Sequence, residues 1–423
     1  MLSSLGIKSS RELFSEIPNK LERNIDIPQA ASEIEVLEEI RELANKNKGS
    51  QEYVSFLGAG NYNHYIPSAV KQVCSRSEWY TAYTPYQAEA SQGTLQAIFE
   101  YQTLICNLAG MDAANASMYD GATAMMEAAI LARNVTGRNK ILVFETVHPN
   151  YREVLKTYAK GAGFVVQSIP FNNQLTTGKF ELTTDTAGIV MQQPNFFGTM
   201  EEIEGVAEQI HSNGSLFIVS ADPISLGMLK PPGEYGADVV VGEGQPLGNP
   251  QNFGGPGLGI FAVKEKYLRL LPGRLAGMTN DKKGRRGFCL TLQTREQHIR
   301  RERAGSNICS NQAFCALTAA AYLTALGPAG LKQIAELSMQ KAHYLAEKLA
   351  PEGLVPTRKF FREFAVKLKK PIKEINKKLL EEKIIGGLDL GRFYPGLENY
   401  MLIATTELIR KKELDRFAKI LKG

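Results

Sequence analysis

Short apolar runs alternate with helical segments between about residues 90 and 265. Six of these runs are rich in Val and Ile, and they predict strands at residues 140–144, 163–169, 187–191, 215–220, 237–242 and 258–263. Near-continuous apolar strands joined by helices are typical of a mostly parallel sheet that is covered on both faces. This part of the chain is therefore predicted to form a large α/β domain.

The N-terminal segment has a helical and largely polar pattern. Ser32 stands three residues before Glu35, as in a capping box at the start of a helix. The apolar residues that follow recur at helical spacing and form one stripe: Ile34, Leu37, Ile40 and Leu43. The stripe predicts packing on something larger, either the body of this chain or a partner.

The pattern changes again after the predicted sheet. Residues 311–326 and 328–349 read as helices, the first of them rich in Ala. Beyond about residue 350 a strand at 364–368, a Lys-rich helix at 371–383, a strand at 400–405 and a last helix predict a small α+β domain. The expected organisation is an arm at 1–60, a large domain at 61–330 and a small domain at 331–423.

Composition narrows the class of protein. A chain of 423 residues suits one large domain with a smaller one. Hydrophobic residues make up 43% and charged residues 22%, which are ordinary globular values. The net charge of +5 is too mild to indicate nucleic acid. Five dispersed cysteines without a C-x-x-C pair predict neither a metal site nor a disulfide framework, and they favour a reducing compartment.

The N-terminus does not resemble a targeting segment. Glu12 and Glu16 interrupt it, and it has no apolar run of signal-peptide length. No stretch is expected to approach the roughly 20 apolar residues that span a bilayer. We therefore expect a cytoplasmic protein that makes no membrane contact.

Three features of the large domain could bind a ligand together. Gly121, Ala122 and Thr123 precede a helix, whose free N–H groups can hold an anion, although a plain N-cap has the same pattern. His148 follows the strand at 140–144 and could stack on a flat cofactor, although a lone His is commonly structural. Asp222 follows the strand at 215–220, at the edge where α/β folds bind ligands, although it could cap a turn.

In this order the three features match the plan of fold-type-I enzymes that use pyridoxal phosphate (PLP). The cradle holds the phosphate, the ring stacks on the pyridine and the aspartate pairs with the pyridinium nitrogen. The plan also needs a lysine for the Schiff base, about two dozen residues after the aspartate. Gln245 stands there, 23 residues after Asp222, and an amide cannot form the imine. Lys230 precedes the strand at 237–242 and Lys264 follows the next strand, so neither takes this place.

Longer strings carry a more specific signal. They include Phe56-Leu57-Gly58, Tyr83-Thr84-Pro85-Tyr86-Gln87-Ala88-Glu89, Ser91-Gln92-Gly93, Gly254-Gly255-Pro256-Gly257 and Thr294-Arg295-Glu296-Gln297-His298-Ile299-Arg300-Arg301. On these strings the chain resembles the P-protein of the glycine cleavage system, and within it the first, or alpha, subunit of the two-subunit form. The resemblance covers nearly the whole chain to about residue 335. It is weaker after residue 350.

The resemblance implies a glycine decarboxylase subunit that does not bind PLP itself. In this family the lysine belongs to a paralogous beta subunit, at the position that matches Gln245. The implied assembly is a heterotetramer of two alpha and two beta subunits, in which the alpha chain is inactive alone. The complex decarboxylates glycine and transfers the aminomethyl group to the lipoyl arm of H-protein. The residues Gly121, Ala122, Thr123, His148, Asp222 and Gln245 would then form a vestigial cofactor pocket.

Two other segments have open roles. Tyr83, Tyr86 and Gln87 lie in a string without helix or strand period, so they are candidates to line the partner's active site, or they only pack at an interface. Residues 282–286 and 295–303 are basic. Docking of the acidic H-protein on them is a hypothesis, and a solvated face or a subunit contact is the alternative.

Three functions remain open on the sequence. The first is the enzyme subunit that the resemblance implies. The second is a self-sufficient PLP enzyme that uses Lys230 or Lys264. The third is a binding or scaffold protein that kept the fold without its chemistry. Gln245 and the family strings favour the first.

Overall fold

The computed structural model describes residues 1–18, 26–252, 254–308, 312–350 and 359–422. The chain divides into two compact units, residues 1–49 and residues 50–423. The helices are α1 Glu33–Ala44, α2 Ser68–Cys74, α3 Gln92–Ala109, α4 Gly121–Thr136, α5 Pro149–Ala162, α6 Val206–Ser212, α7 Gln297–Arg300, α8 Ala313–Leu349, α9 Ile372–Glu381 and α10 Lys411–Lys422.

The strands are β1 Val54–Ser55, β2 Ala113–Ala114, β3 Lys140–Phe144, β4 Val165–Ile169, β5 Thr186–Gln193, β6 Leu216–Ala221, β7 Val239–Glu243, β8 Gly259–Val263, β9 Leu275–Asn280, β10 Arg286–Thr291, β11 Glu363–Lys367, β12 Ile384–Ile385, β13 Leu388–Asp389 and β14 Tyr400–Ala404.

Helix α1 is the main element of the first unit. Ser32 caps it, because its Oγ accepts from the N–H of Glu35 at 3.4 Å and its own N–H donates to Glu35 Oε2 at 2.7 Å. The predicted capping box is therefore confirmed. The predicted packing of the apolar stripe of α1 on another surface stays a prediction.

A seven-stranded sheet organises the second unit, with strand order β2-β8-β7-β6-β5-β3-β4. Neighbouring strands are parallel from β4 through β3, β5 and β6 to β7. Strand β8 runs antiparallel to β7, and β2 runs antiparallel to β8. Every residue of β6 and β8 is buried, which requires cover on both faces because side chains alternate. The predicted mostly parallel α/β sheet is confirmed, and all six predicted strands are present.

Helix α8 packs its apolar side chains into this core. Cys315, Ala316, Ala319 and Tyr322 belong to the same buried cluster as the sheet. By length and composition α8 could cross a membrane, so the expectation that no stretch approaches that limit was wrong. The window is rich in Ala and Leu, and the core helix of a globular protein has the same composition. The helical conformation is interrupted at Gly327, before Pro328, where two separate helices were predicted. Asn311, the predicted start, lies outside the described residues.

The C-terminal part forms a smaller layer. Strands β11, β14 and β13 make an antiparallel sheet, and α9, α10 and the end of α8 bury apolar residues beside it. The predicted strands and helices of this part are confirmed, with ends shifted by one or two residues. Strand β1 pairs with β12, so residues 54–55 lie within the second unit. The predicted domain boundaries at 60 and 330 stay a prediction.

Candidate functional site

The carboxyl ends of the parallel strands bring the predicted pocket residues together. His148 caps α5 after β3, Asp222 follows β6 directly, and Gln245 comes two residues after β7. A cavity of about 40 Å³ lies at this edge. Its lining residues are Gly60, Tyr62, His148, Tyr151, Gln192, Phe196, Ser220, Ala221, Asp222, Pro223, Glu243, Pro246 and Glu363. Of the predicted pocket residues, His148 and Asp222 line this cavity, which is far smaller than ordinary cofactor sites of roughly 300–1,000 Å³.

The predicted anion cradle is the first turn of α4. Asp120 caps it, since its Oδ1 accepts from the N–H of Thr123 at 2.7 Å. The N–H of Gly121 donates to Glu243 Oε2 at 3.0 Å. A Cβ added at Gly121 would overlap the phenol oxygen of Tyr151, so the close packing requires glycine. The plain N-cap is present, since Asp120 caps the helix. The N–H of Gly121 also binds an anion, which is the carboxylate of Glu243 in the same chain.

Glu243 is a pocket residue that sequence reasoning missed. Its Oε1 accepts from the N–H of Gln245 at 2.9 Å and from the N–H of Leu258 at 2.8 Å. Burial raises the pKa of Glu243, while the backbone N–H donors act in the opposite direction. A glutamate between two glycines at the end of a parallel strand was the available signal. Its carboxylate joins α4, β7 and the segment before β8.

His148 stacks on a side chain of its own chain. Its ring lies on Tyr151, with centroids 4.8 Å apart and planes 24° apart. Nδ1 accepts from the N–H of Asn150 and Nε2 lies 3.1 Å from the carbonyl oxygen of Ala59, so Nε2 carries the hydrogen. Burial lowers the pKa of His148 to about 4. The ring is therefore neutral near pH 7, and Tyr151 covers one of its faces.

Asp222 lies in the predicted place and faces a buried cation. Nη2 of Arg362 is 2.6 Å from its Oδ2. Arg362 comes directly before β11, is 1% exposed and lies over the ring of Tyr62 at 3.5 Å. The guanidinium therefore takes the position in which a cationic group of a ligand would contact this aspartate.

Gln245 fixes the backbone that crosses the pocket. Its Oε1 accepts from the N–H of Tyr62 at 3.0 Å, and its Nε2 donates to the carbonyl of Tyr62 at 3.0 Å and to that of Asn249 at 2.7 Å. The side chain is 3% exposed. The amide of Gln245 bonds both the N–H and the carbonyl of Tyr62. A lysine could not do this, because its ammonium group has no acceptor for the N–H.

Tyr62, His64, Arg362 and Glu363 are buried residues around the site, and sequence reasoning assigned them no role there. Glu363 accepts from the hydroxyl of Tyr62 at 2.6 Å and from the N–H of Ala59 at 2.7 Å, and burial raises its pKa to about 7. His64 donates from Nδ1 to Glu407 at 2.6 Å, its Nε2 faces Arg362, and burial lowers its pKa. An Arg-Glu pair inside an apolar run was the available signal, since buried charges require partners.

The residues around the cavity do not fit pyridoxal phosphate. The cradle N–H of Gly121 is used by Glu243, Asp222 is used by Arg362, and Gln245 replaces the lysine. A cavity of about 40 Å³ has room for only a few water molecules, since roughly 10–15 Å³ of such volume holds one. We derive no catalytic step through a cofactor in this pocket.

The two alternative lysines lie away from the pocket. Nζ of Lys264 is 3.5 Å from the carbonyl of Gly236 and 3.8 Å from Asp238, which precede β7. That is the opposite edge of the sheet from Asp222. Lys230 is an exposed residue on the connection between β6 and β7. The structure therefore gives no support to a PLP enzyme that uses either lysine.

The predicted interface residues lie on the surface. Tyr83 is 79% exposed, Tyr86 is 50% exposed and Gln87 is also exposed, and none of the three lines the pocket of Asp222. The hydroxyl of Tyr86 accepts from Arg274 at 3.0 Å. Tyr83 lines a separate cavity of about 620 Å³ with Trp79 and other residues of α3 and α8. Exposed phenols beside a large concavity are available to a partner.

The two basic segments have different structures. Residues 282–286 form the turn of the β9–β10 hairpin, where Arg285 pairs with Asp281 at 2.8 Å. Arg295 is largely buried and donates to the carbonyls of Leu292 and Gly273. Arg295, Arg300 and Arg303 line a cavity of about 300 Å³. Sequence reasoning did not predict the hairpin.

Similarity to solved structures shows the fold class of the chain. With a TM-score of 0.70 and 13% identity, it is similar over 98% of its length, and over 96% of the other chain, to a glutamate decarboxylase from Lactobacillus brevis. At this identity the likeness shows the fold, which is that of fold-type-I PLP-dependent enzymes. The predicted fold class is confirmed.

The family follows from closer relatives. Residues 1–421 match the model of the glycine cleavage system P-protein. The chain is 53% identical over 426 residues to a probable glycine dehydrogenase (decarboxylating) subunit 1 of Geobacillus sp. (strain WCH70), covering 99% of this chain and 95% of the relative. It is 44% identical to the crystal structure of an inhibitor-bound glycine decarboxylase (P-protein), with a TM-score of 0.93, 100% of this chain and 96% of the other covered. The chain therefore belongs to the glycine cleavage system P-protein family.

Proposed function

We propose that this chain is the subunit of a two-chain glycine decarboxylase that does not hold the cofactor. The observation that supports the proposal is a set of internal contacts, in which Gln245 bonds the backbone of Tyr62, Glu243 accepts from Gly121 and Arg362 pairs with Asp222. A paralogous partner subunit supplies the lysine and the PLP. The assembly is a heterotetramer of two chains of each kind, and this chain is inactive alone. It works in the cytoplasm, away from membranes.

The reaction is the decarboxylation of glycine with transfer of the aminomethyl group. The partner subunit would hold the cofactor, which would supply an electron sink for the loss of CO₂. The aminomethyl carbon then bonds to one sulfur of the lipoyl disulfide of H-protein, and the other sulfur leaves as a thiol. The present chain contributes a surface that orients the arm and excludes water from the partner's site.

Tyr83, Tyr86 and Gln87 are the residues proposed to reach that site. All three are exposed on one loop, and Arg274 holds the ring of Tyr86 through its hydroxyl. A phenol and an amide can hydrogen-bond to the substrate or to the arm. The hairpin turn at 282–286 is proposed to dock the acidic surface of H-protein.

Reconstitution tests the proposal. The purified chain is titrated into a fixed amount of the lysine-bearing partner, with glycine and lipoylated H-protein present, and released CO₂ is measured. Activity is expected to be absent from this chain alone and to rise until the two chains are equimolar. Full activity of the partner without this chain would contradict the proposal and favour a scaffold protein.

A further inference from the structure

The carboxylate of Glu243 occupies a complete anion-binding geometry. It accepts from the backbone N–H groups of Gly121 at 3.0 Å, Gln245 at 2.9 Å and Leu258 at 2.8 Å. The three donors come from α4, from the segment after β7 and from the segment before β8. No step of the proposed function uses this residue.

The three donors are of the kind that a bound phosphate takes. The N–H of Gly121 is at the start of α4, a helix of 16 residues whose dipole favours negative charge at this end. Both N–H groups at Oε1 point toward that oxygen, so a proton on Oε1 would have no acceptor there. The ionised carboxylate therefore satisfies the geometry best.

At the other end of the pocket, a cation of the chain pairs with an acidic side chain. Asp222 lies at the carboxyl edge of the sheet and faces the guanidinium of Arg362, whose Nη2 is 2.6 Å from Oδ2. Arg362 is 1% exposed, so its guanidinium is buried, and a buried cation requires a partner such as Asp222. The buried guanidinium of Arg362 thus pairs its positive charge with Asp222.

We propose that the pocket is self-liganded: the carboxylate of Glu243 takes the place of a phosphate at the start of α4, and the guanidinium of Arg362 takes the place of a protonated ring nitrogen at Asp222. The anion site is built and then filled by the chain itself. Removing the carboxylate uncovers a site whose ligand class is phosphate.

The test uses inorganic phosphate and the Glu243→Ala chain. Ala leaves the N–H groups of Gly121, Gln245 and Leu258 without their acceptor, next to the space that the carboxylate held. The variant is expected to bind about one phosphate, at least roughly tenfold more tightly than the wild-type chain. Equilibrium dialysis gives the stoichiometry, and the phosphate-dependent rise in melting temperature gives a second readout.

Two controls separate a specific site from general salt effects. Glu208→Ala removes one negative charge from exposed helix α6 and is expected to respond to phosphate as the wild type does. Glu243→Gln keeps the pocket filled with a neutral group and is expected to gain no phosphate binding. If Glu243→Ala folds poorly, phosphate is expected to increase its refolding yield, which it does not do for Glu243→Gln.

Failure of the inference has a distinct result. Glu243→Ala that neither binds phosphate more tightly than the wild type nor gains stability or refolding yield from it would overturn the self-liganded pocket. Phosphate binding is measured on this chain by itself. Its outcome is therefore independent of whether the partner subunit needs this chain for glycine decarboxylation.

Discussion

Glu363 lies among charged groups that decide whether its carboxyl group is ionised. Tyr62 and Ala59 donate to its two oxygens, Arg362 precedes it in sequence, and Asp222 is a second acid nearby. Burial is the largest effect and raises its pKa from 4.5 to about 7. The protonated acid is therefore favoured in the folded chain more than in the unfolded chain.

Replacing Glu363 with Gln should change how stability depends on pH. A raised pKa in the folded state stabilises the fold below pH 4.5, and this contribution is lost as pH rises through about 7. At about 1.4 kcal/mol per pKa unit the effect reaches roughly 3 kcal/mol. Relative to the wild type, Glu363→Gln should gain up to that amount between pH 4.5 and 8, measured by urea unfolding.

The control for this experiment is the same change at an exposed position. Glu208→Gln on α6 should keep a constant difference from the wild type over the same pH range. A constant difference for Glu363→Gln as well would show that the carboxyl of Glu363 titrates normally in the folded chain.

Secondary structure elements show where sequence reasoning works and where it stops. The strands of the central sheet are buried on both faces, so their apolar runs and the polar residues that end them are visible in the sequence. This pattern located His148, Asp222 and Gln245 at one edge. It could not show that β11, more than 100 residues after β7, returns Arg362 and Glu363 to that edge.

Sequence reasoning did not predict two other features, and the physical reasons differ. The hairpin β9–β10 has one exposed arm and a basic turn, so it lacks the apolar run that marks the buried strands. The role of Glu243 depends on hydrogen bonds to three separate segments, and spacing along the chain carries no information about them. The contacts that Glu243 makes are visible only in the structure.

The loop that carries Tyr83 and Tyr86 should matter for catalysis in the assembled enzyme. Removing a hydroxyl that touches a reacting group costs about tenfold or more in kcat. We therefore expect Tyr83→Phe or Tyr86→Phe to assemble normally with the partner subunit but to lower kcat by at least about tenfold. Assembly is measured by sedimentation and kcat by CO₂ release.

A matched phenol on another surface controls for the substitution itself. Tyr158→Phe on α5 should assemble and turn over as the wild type does. If both loop variants lose assembly in proportion to activity, the loop only packs at an interface, and its proposed catalytic role is wrong.

The β9–β10 turn allows a charge-reversal test that leaves its structure intact. Arg285 pairs with Asp281 inside the turn, so Lys282→Glu with Arg286→Glu is the better double variant. If H-protein docks here, its KM should rise by about tenfold and become less sensitive to salt, because steering between opposite charges weakens. Lys377→Glu with Lys378→Glu on α9 makes the same charge change elsewhere. An equal KM in both double variants would contradict docking at the turn.

At the scale of the whole molecule, the chain keeps the architecture of a cofactor enzyme while its own residues close the cofactor site. Its sheet, cradle and edge aspartate are in place, and the N–H of Gly121, the carboxylate of Asp222 and the amide of Gln245 each have a partner within the protein. A filled pocket is compatible with a subunit that acts by shaping its partner's site. The positions of Lys230 and Lys264 give no support to an enzyme that binds PLP through either of them.

Covalent labelling tests this central claim most directly. The chain is incubated with pyridoxal phosphate and no glycine, alone and mixed with the partner subunit, then reduced with borohydride, and peptides are analysed by mass spectrometry. The account predicts pyridoxyl-lysine on the partner in the mixture and none on this chain in either sample. A near-stoichiometric label on any single lysine of this chain would contradict it.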